Sequence, residues 1–99
     1  MIIEYRTKKL EKICTNELEA KAVYNEVMAK KIKRCIVAIR AADSIELLLK
    51  DRIYQCHKLT GNRKHQYAMH LQEPYRLIFE KADKFKINIA LINSIEDYH

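Results

Sequence analysis

The spacing of apolar residues changes partway along this chain, and that change restricts the fold more than any other feature. Up to Ala42 the residues Tyr24, Met28, Ile32, Cys35, Ile39 and Ala42 recur every three or four positions, the period that lines one face of an α-helix. From Ile53 the pattern shortens to "IYQCHKL", "HQYAMHL", "YRLIFEK" and "FKINIALIN", runs of strand length rich in Ile, Tyr, Phe and Leu. The only glycine, Gly61, and the only proline, Pro74, fall between the first three runs, and "KADK" separates the last two. These connectors are short turns, so the strands they join form antiparallel hairpins.

Upstream, "MIIEY" reads as a strand and "TKKLEKIC" as one or two helical turns. Asn16, with Glu19 three residues on, has the form of an N-cap with its reciprocal acid and opens a long helix. Asp43 or Ser44 caps a further short helix ending near Lys50. The expected fold is α+β: two or three N-terminal helices packed on a mainly antiparallel sheet of four to five strands, with the long helix across one face. Residues 1–99 read as one domain.

Composition restricts the function classes. A chain that is 48% hydrophobic can offset its ordering entropy, which excludes intrinsic disorder. Nineteen Lys plus Arg against thirteen Asp plus Glu leave a net charge of +6, so nucleic acid is the first partner to test and an acidic protein the second. Lys30, Lys31, Lys33, Arg34 and Arg40 crowd the polar face of the long helix, which reads as a solvated face. No apolar run reaches the roughly 18 residues that span a bilayer, which leaves no membrane partner. Cys14, Cys35 and Cys56 are odd in number and lack CxxC spacing, so buried reduced thiols and a cytoplasmic location are expected.

Gly-rich phosphate loops, GxSxG elbows, HExxH and acidic metal clusters are absent, which removes the usual support for nucleotide hydrolysis, esterase and metalloenzyme chemistry. The inventory left is His, Tyr, Arg, Lys and a tail Asp. It suits metal-free RNA cleavage, in which one group takes the ribose 2′-OH proton, another protonates the leaving 5′-oxygen, and fixed positive charge steadies the phosphorane-like transition state. Histidine titrates near neutrality, and arginine holds a permanent charge in a fork that matches phosphate oxygens.

The segment "IYQCHKLTGNRKHQYAMHLQEPYRLIFE", taken with the terminal "EDYH", resembles the HigB toxins, a branch of the RelE/ParE superfamily also described as plasmid maintenance killer proteins. That family's motif places a His before a Leu-x-Gly-Asp-Arg turn, then an aromatic strand, Asn-x-Trp-Arg-Ile-x-Phe, and a C-terminal Asp-Tyr-His. Here the matching parts are His57, "LTGNR" at 59 to 63, Tyr67, "PYRLIF" at 74 to 79, and Asp97, Tyr98 and His99. Tyr75 stands at the family's tryptophan, Asn62 at its aspartate and His65 at a position often held by glycine. The last hairpin is a few residues longer than usual, and a shift in register there reverses which way Asp97 points.

The resemblance implies a RelE-like microbial RNase fold acting as a ribosome-dependent mRNA endoribonuclease without cofactor or metal. It also implies mRNA in the ribosomal A site as substrate and a cognate antitoxin, a small helix-turn-helix protein, as partner. Carried over, His57 and His99 become the proton-transfer residues, Tyr98 and Asp97 position the nucleophile or His99, and Arg76 clamps the scissile phosphate. Lys58, Arg63 and Lys64 hold the RNA backbone. The competing role for Arg76 is a surface salt bridge to Glu80 or Glu96, and His65 and His70 read as surface or RNA-contact residues. Two other functions fit the same resemblance: inhibition of DNA gyrase, as in the ParE branch, and basic RNA binding without turnover.

Overall fold

Strand β4 (Tyr75–Lys81) lies in the middle of a five-stranded sheet. The order is β1-β5-β4-β3-β2, in which β1 is Ile2–Tyr5, β2 His57–Lys58, β3 Gln66–His70 and β5 Ile89–Asp97. The structure, a computed structural model, describes residues 1–98. β2, β3, β4 and β5 pair antiparallel, whereas β1 runs parallel to β5. This is the α+β architecture expected from the change of period.

Four helices precede the meander: α1 (Lys8–Thr15), α2 (Glu17–Val23), α3 (Glu26–Ala41) and α4 (Ile45–Lys50). Each is capped by the side chain before it: Thr7, Asn16, Asn25 and Ser44 accept backbone amides that the helix leaves unpaired. The one long helix expected from Asn16 to Ala42 is therefore two. Asn25 takes the Met28 amide at 2.8 Å and starts a new helix, and Tyr24, which continues the apolar spacing, lies at the break. Asn16 accepts from the Leu18 and Glu19 amides without a return bond from Glu19 among the described residues.

α3 lies on one face of the sheet. Its Met28, Ile32, Cys35 and Ile39 are buried with Met69, Leu77, Phe79, Ala90 and Ile92 from the strands. Each of the Ile, Leu, Met and Phe side chains contributes about 1.5–3 kcal/mol on leaving water. Among the described residues the opposite face carries a small buried cluster of Leu59, Ala68 and Ile78, to which none of the four helices contributes a residue. Cys14, Cys35 and Cys56 are buried free thiols, and burial pushes each up to about 12, so they stay protonated and unreactive. No described helix is long and apolar enough to cross a membrane.

Two strand expectations need correction. In "IYQCHKL" only His57 and Lys58 join the sheet, because Arg52, Tyr54 and Gln55 take left-handed φ of 49°, 47° and 58°. This bend puts the Tyr54 ring 4.3 Å beneath the Arg34 guanidinium of α3, a contact that outweighs local strand preference. In "FKINIALIN" the strand starts only at Ile89, since Lys84 and Ile87 close a tight turn with Phe85 and Lys86 at its corner.

Because Asn25 caps the start of α3, Asn25→Ala loses about 1 kcal/mol of stability, while Asn25→Asp keeps most of it. Urea unfolding of the three proteins measures this.

Candidate active site

Cross-strand partners share a face of the sheet, so register decides which polar groups meet. His57 pairs with Ala68, His70 with Arg76, and Arg76 with Glu96. Ala68 belongs to the small cluster on the helix-free face, and His57, His70, Arg76 and Glu96 stand on that same face. The rings of His57 and His70 meet edge to face with centroids 6.0 Å apart.

The Arg76 side chain is only 12% exposed. Its Nη1 donates to the Tyr75 carbonyl at 2.9 Å and its Nη2 to Glu73 Oε2 at 3.1 Å. Glu73 is 69% exposed at the β3–β4 turn, and its other oxygen lies 3.6 Å from His70 Nδ1. Arg76 holds the Glu73 carboxyl below the usual carboxylate range. Burial pushes His70 below 6.5, Arg76 and His57 push the same way, and Glu73 partly opposes them. His70 is therefore a neutral imidazole at pH 7, able to accept a proton. His57 Nδ1 lies 2.9 Å from the Gln55 carbonyl, which can only accept, so Nδ1 carries hydrogen and Nε2 is the nitrogen left for other partners.

Arg63 braces the neighbouring part of this face. Its Nη1 and Nη2 donate to both Glu96 oxygens at 3.0 and 2.7 Å, and its Nε donates to Gln66 Oε1 at 2.8 Å. Ser94 also donates to Glu96, at 2.6 Å, and Arg63 with Ser94 holds that carboxyl below its usual range. Tyr98 is close enough to Arg63 to interact with it electrostatically. The Tyr98 amide donates to the Pro74 carbonyl at 3.0 Å, which pins the chain just beyond β5.

Of the residues singled out in the sequence, the fold brings His57 and Arg76 onto one face and directs Tyr98 toward it. Asp97 stands elsewhere. β5 bulges at Asn93, where Ile78 pairs with Ser94 but Phe79 pairs with Ile92, and the extra residue reverses the alternation beyond it. Asp97 consequently pairs with Tyr75 on the helix side, where Tyr75 meets Tyr24 edge on at 5.4 Å. Arg6 fixes the bulge through two bonds to Asn93 Oδ1, at 2.8 and 2.5 Å. Lys58 pairs with Tyr67 and so points away from His57, while Lys64 is exposed beyond the Gly61–Arg63 turn. His99 lies outside the described residues. The salt bridge of Arg76 goes to Glu73, not to Glu80 or Glu96.

His70 is the group that sequence reasoning missed. A hairpin turning at Glu73 pairs position 70 with position 76, so "HLQEPYR" already set a histidine opposite Arg76. Among the described residues no group of three or more His, Cys, Asp or Glu is placed to hold a metal ion. A cavity of about 220 Å³ lies between α1, α2 and α3, lined by residues such as Ile13, Ala20, Ile32 and Ile36, away from these polar groups. The candidate site is an open face of the sheet.

No protein-family model matches the chain, and a search of curated proteins finds no match. Among solved structures the chain is similar to a YoeB/ParE toxin from Agrobacterium tumefaciens, with a TM-score of 0.66 and 11% identity over 100% of both chains. At that identity the likeness establishes a common fold.

The electrostatics give opposite expectations for two substitutions, read by NMR titration of His70. Arg76→Ala raises its pKa by removing a neighbouring positive charge, and Glu73→Gln lowers it further by removing the opposing negative one. Because the folded value lies below 6.5, the contribution of His70 to stability is complete above that pH and is lost as pH falls through the lowered value.

Proposed function

We propose that this protein is the toxin of a type II toxin–antitoxin pair and acts as a metal-independent, ribosome-dependent mRNA endoribonuclease of the HigB kind. The observation that carries the reading is the grouping of two imidazoles and a nearly buried guanidinium on one open sheet face. A fold in common with a YoeB/ParE toxin supports it, as does the motif resemblance.

The reaction follows from the roles these groups can fill. The neutral His70 takes the ribose 2′-OH proton, and O2′ attacks the adjacent phosphorus. The bond to the 5′-oxygen breaks, and His57 gives a ring hydrogen to that leaving oxygen. Arg76 holds the non-bridging oxygens, whose charge grows in the transition state. The products are a 2′,3′-cyclic phosphate and a 5′-hydroxyl, with no net gain or loss of atoms. Tyr98 positions the ribose, and the motif resemblance adds His99 as a further proton carrier. Asp97 lies at the end of β5 on the helix side, Arg63 braces the face, Lys64 contacts the RNA backbone, and Lys58 reaches it only where the RNA strand passes around the sheet edge.

Glu73 occupies the position on Arg76 that a phosphate oxygen needs, so substrate displaces it. An open face of this kind grips one phosphodiester and little else. Positioning of the mRNA therefore comes from the ribosomal A site, a large part of the rate in any reaction limited by orientation. The antitoxin, a small helix-turn-helix protein, neutralises the toxin in the cytoplasm.

Induction in growing cells followed by transcript mapping tests the proposal. The wild-type protein fragments mRNA and arrests growth. Arg76→Ala and His70→Ala each lower single-turnover cleavage on ribosomes by about 10²–10⁴-fold, and deletion of His99 abolishes arrest while antitoxin binding persists. Intact transcripts with altered DNA supercoiling would replace this reading with gyrase inhibition, and RNA bound but uncut would replace it with a binding module.

A further inference from the structure

Phe85 occupies a position that serves the fold badly. It sits at the corner of the turn between β4 and β5 with a left-handed φ of 57°, a region that favours Gly, Asn or Asp and strains a bulky residue. Its ring is also fully exposed, so it adds nothing to either core. The turn itself is well tied. Lys84 and Ile87 exchange both backbone hydrogen bonds, at 3.2 and 2.9 Å, and the Ile89 amide donates to Asp83 Oδ1 at 2.9 Å. Asn88 Nδ2 donates to the Asp43 carbonyl at 2.7 Å, joining the connector to the segment after α3. The ring is thus held out on an ordered support. Phe85 thus combines a strained backbone with an unburied ring, a placement that the packing of the fold does not account for.

Its neighbours identify the partner. Lys84 meets Glu4 only at 3.9 Å, and Lys86 has no ion pair among the described residues. A planar ring flanked by Lys86 and by the loosely paired Lys84 matches a nucleobase and its flanking phosphates, the recurring arrangement for single-stranded nucleic acid. One phenyl ring with the half-exposed Ile87 is too small for a stable protein interface, which needs about 800 Å² per partner, and too small for an anchoring membrane surface. The same hairpin also carries the candidate site. Arg76 and Lys81 are the ends of a strand segment spanning about 17 Å, and the corner lies beyond Lys81.

We propose that Phe85, with Lys84 and Lys86, forms a second contact for single-stranded RNA, stacking a base several nucleotides from the phosphate held by Arg76. The contact rests on the RNA reading for its ligand but is measured independently of cleavage. Phe85→Asn suits the left-handed corner, so its melting temperature stays equal to or rises above that of the wild type. A fluorescent 2′-O-methyl RNA strand, which cannot be cleaved because its 2′-oxygen is blocked, serves as probe beside a 2′-O-methyl dinucleotide. Phe85→Asn weakens binding of the long strand about tenfold and leaves the dinucleotide unchanged. Lys86→Ala weakens the long strand and flattens its salt dependence.

The proposal is overturned if Phe85→Asn binds the long strand as tightly as wild type, including the case where only anionic vesicles or an acidic peptide lose affinity. It is overturned equally if the wild-type protein binds neither strand. Loss of strand binding in a protein that never cuts RNA supports the contact and removes the nuclease, and unchanged binding in a protein that does cut removes only the contact.

Discussion

The polar groups of the candidate site all depend on the pairing of β4 with β3 on one side and β5 on the other. Leu77 and Phe79 turn toward the helices and are fully buried, which fixes the pleat of β4 against slippage. Ile78, Arg76 and Glu80 must then face the other way. Register does the rest, since His70 stands opposite Arg76 and Glu96 beyond it. A slip of one residue would bury Arg76 beneath α3 and expose Phe79, so the apolar core and the position of the guanidinium are one constraint.

That constraint brings a nearly buried positive charge and a partly buried imidazole together on an otherwise open face. Arg76 is largely buried, with the Tyr75 carbonyl and the Glu73 carboxylate as hydrogen-bond partners. Burial weakens charge on His70, and the guanidinium beside it acts in the same direction. Glu73 is the exposed member: it sits on the turn and contacts both groups, so an anion taking its place would exchange one negative group for another at little electrostatic cost. The Arg63–Glu96 fork is different in kind. Both carboxylate oxygens are taken and Ser94 adds a third bond, so that pair stiffens the face rather than binding a partner.

Much of this was legible in the sequence wherever one local signal dominated. β4 runs over the residues its apolar pattern marked, Ser44 caps α4 as its side chain allowed, and the buried face of α3 follows the three-and-four spacing. The break at Asn25 was hidden because Tyr24 and Met28 keep helical spacing across it. The bend at Arg52, Tyr54 and Gln55 uses left-handed backbone at residues that carry no such preference, and Tyr54 is drawn there by Arg34 of α3, a contact distant in sequence. Asp97 depended on the bulge at Asn93. Ile92 and Ile95 are three residues apart yet both pack toward the helices, which a regular strand cannot do, and only Arg6 from beyond β1 reveals the extra residue. His70 required pairing two ends of a hairpin before judging either histidine alone.

The central claim is that O2′ of the substrate is the nucleophile on a phosphate held by Arg76. The chemical ends of transcripts cut on induction test it most directly. The account predicts a 5′-hydroxyl on each downstream fragment and a 2′,3′-cyclic phosphate, or the 3′-phosphate formed when it opens, on each upstream fragment. Downstream fragments that begin with a 5′-phosphate would mean that water attacked instead, and would contradict it.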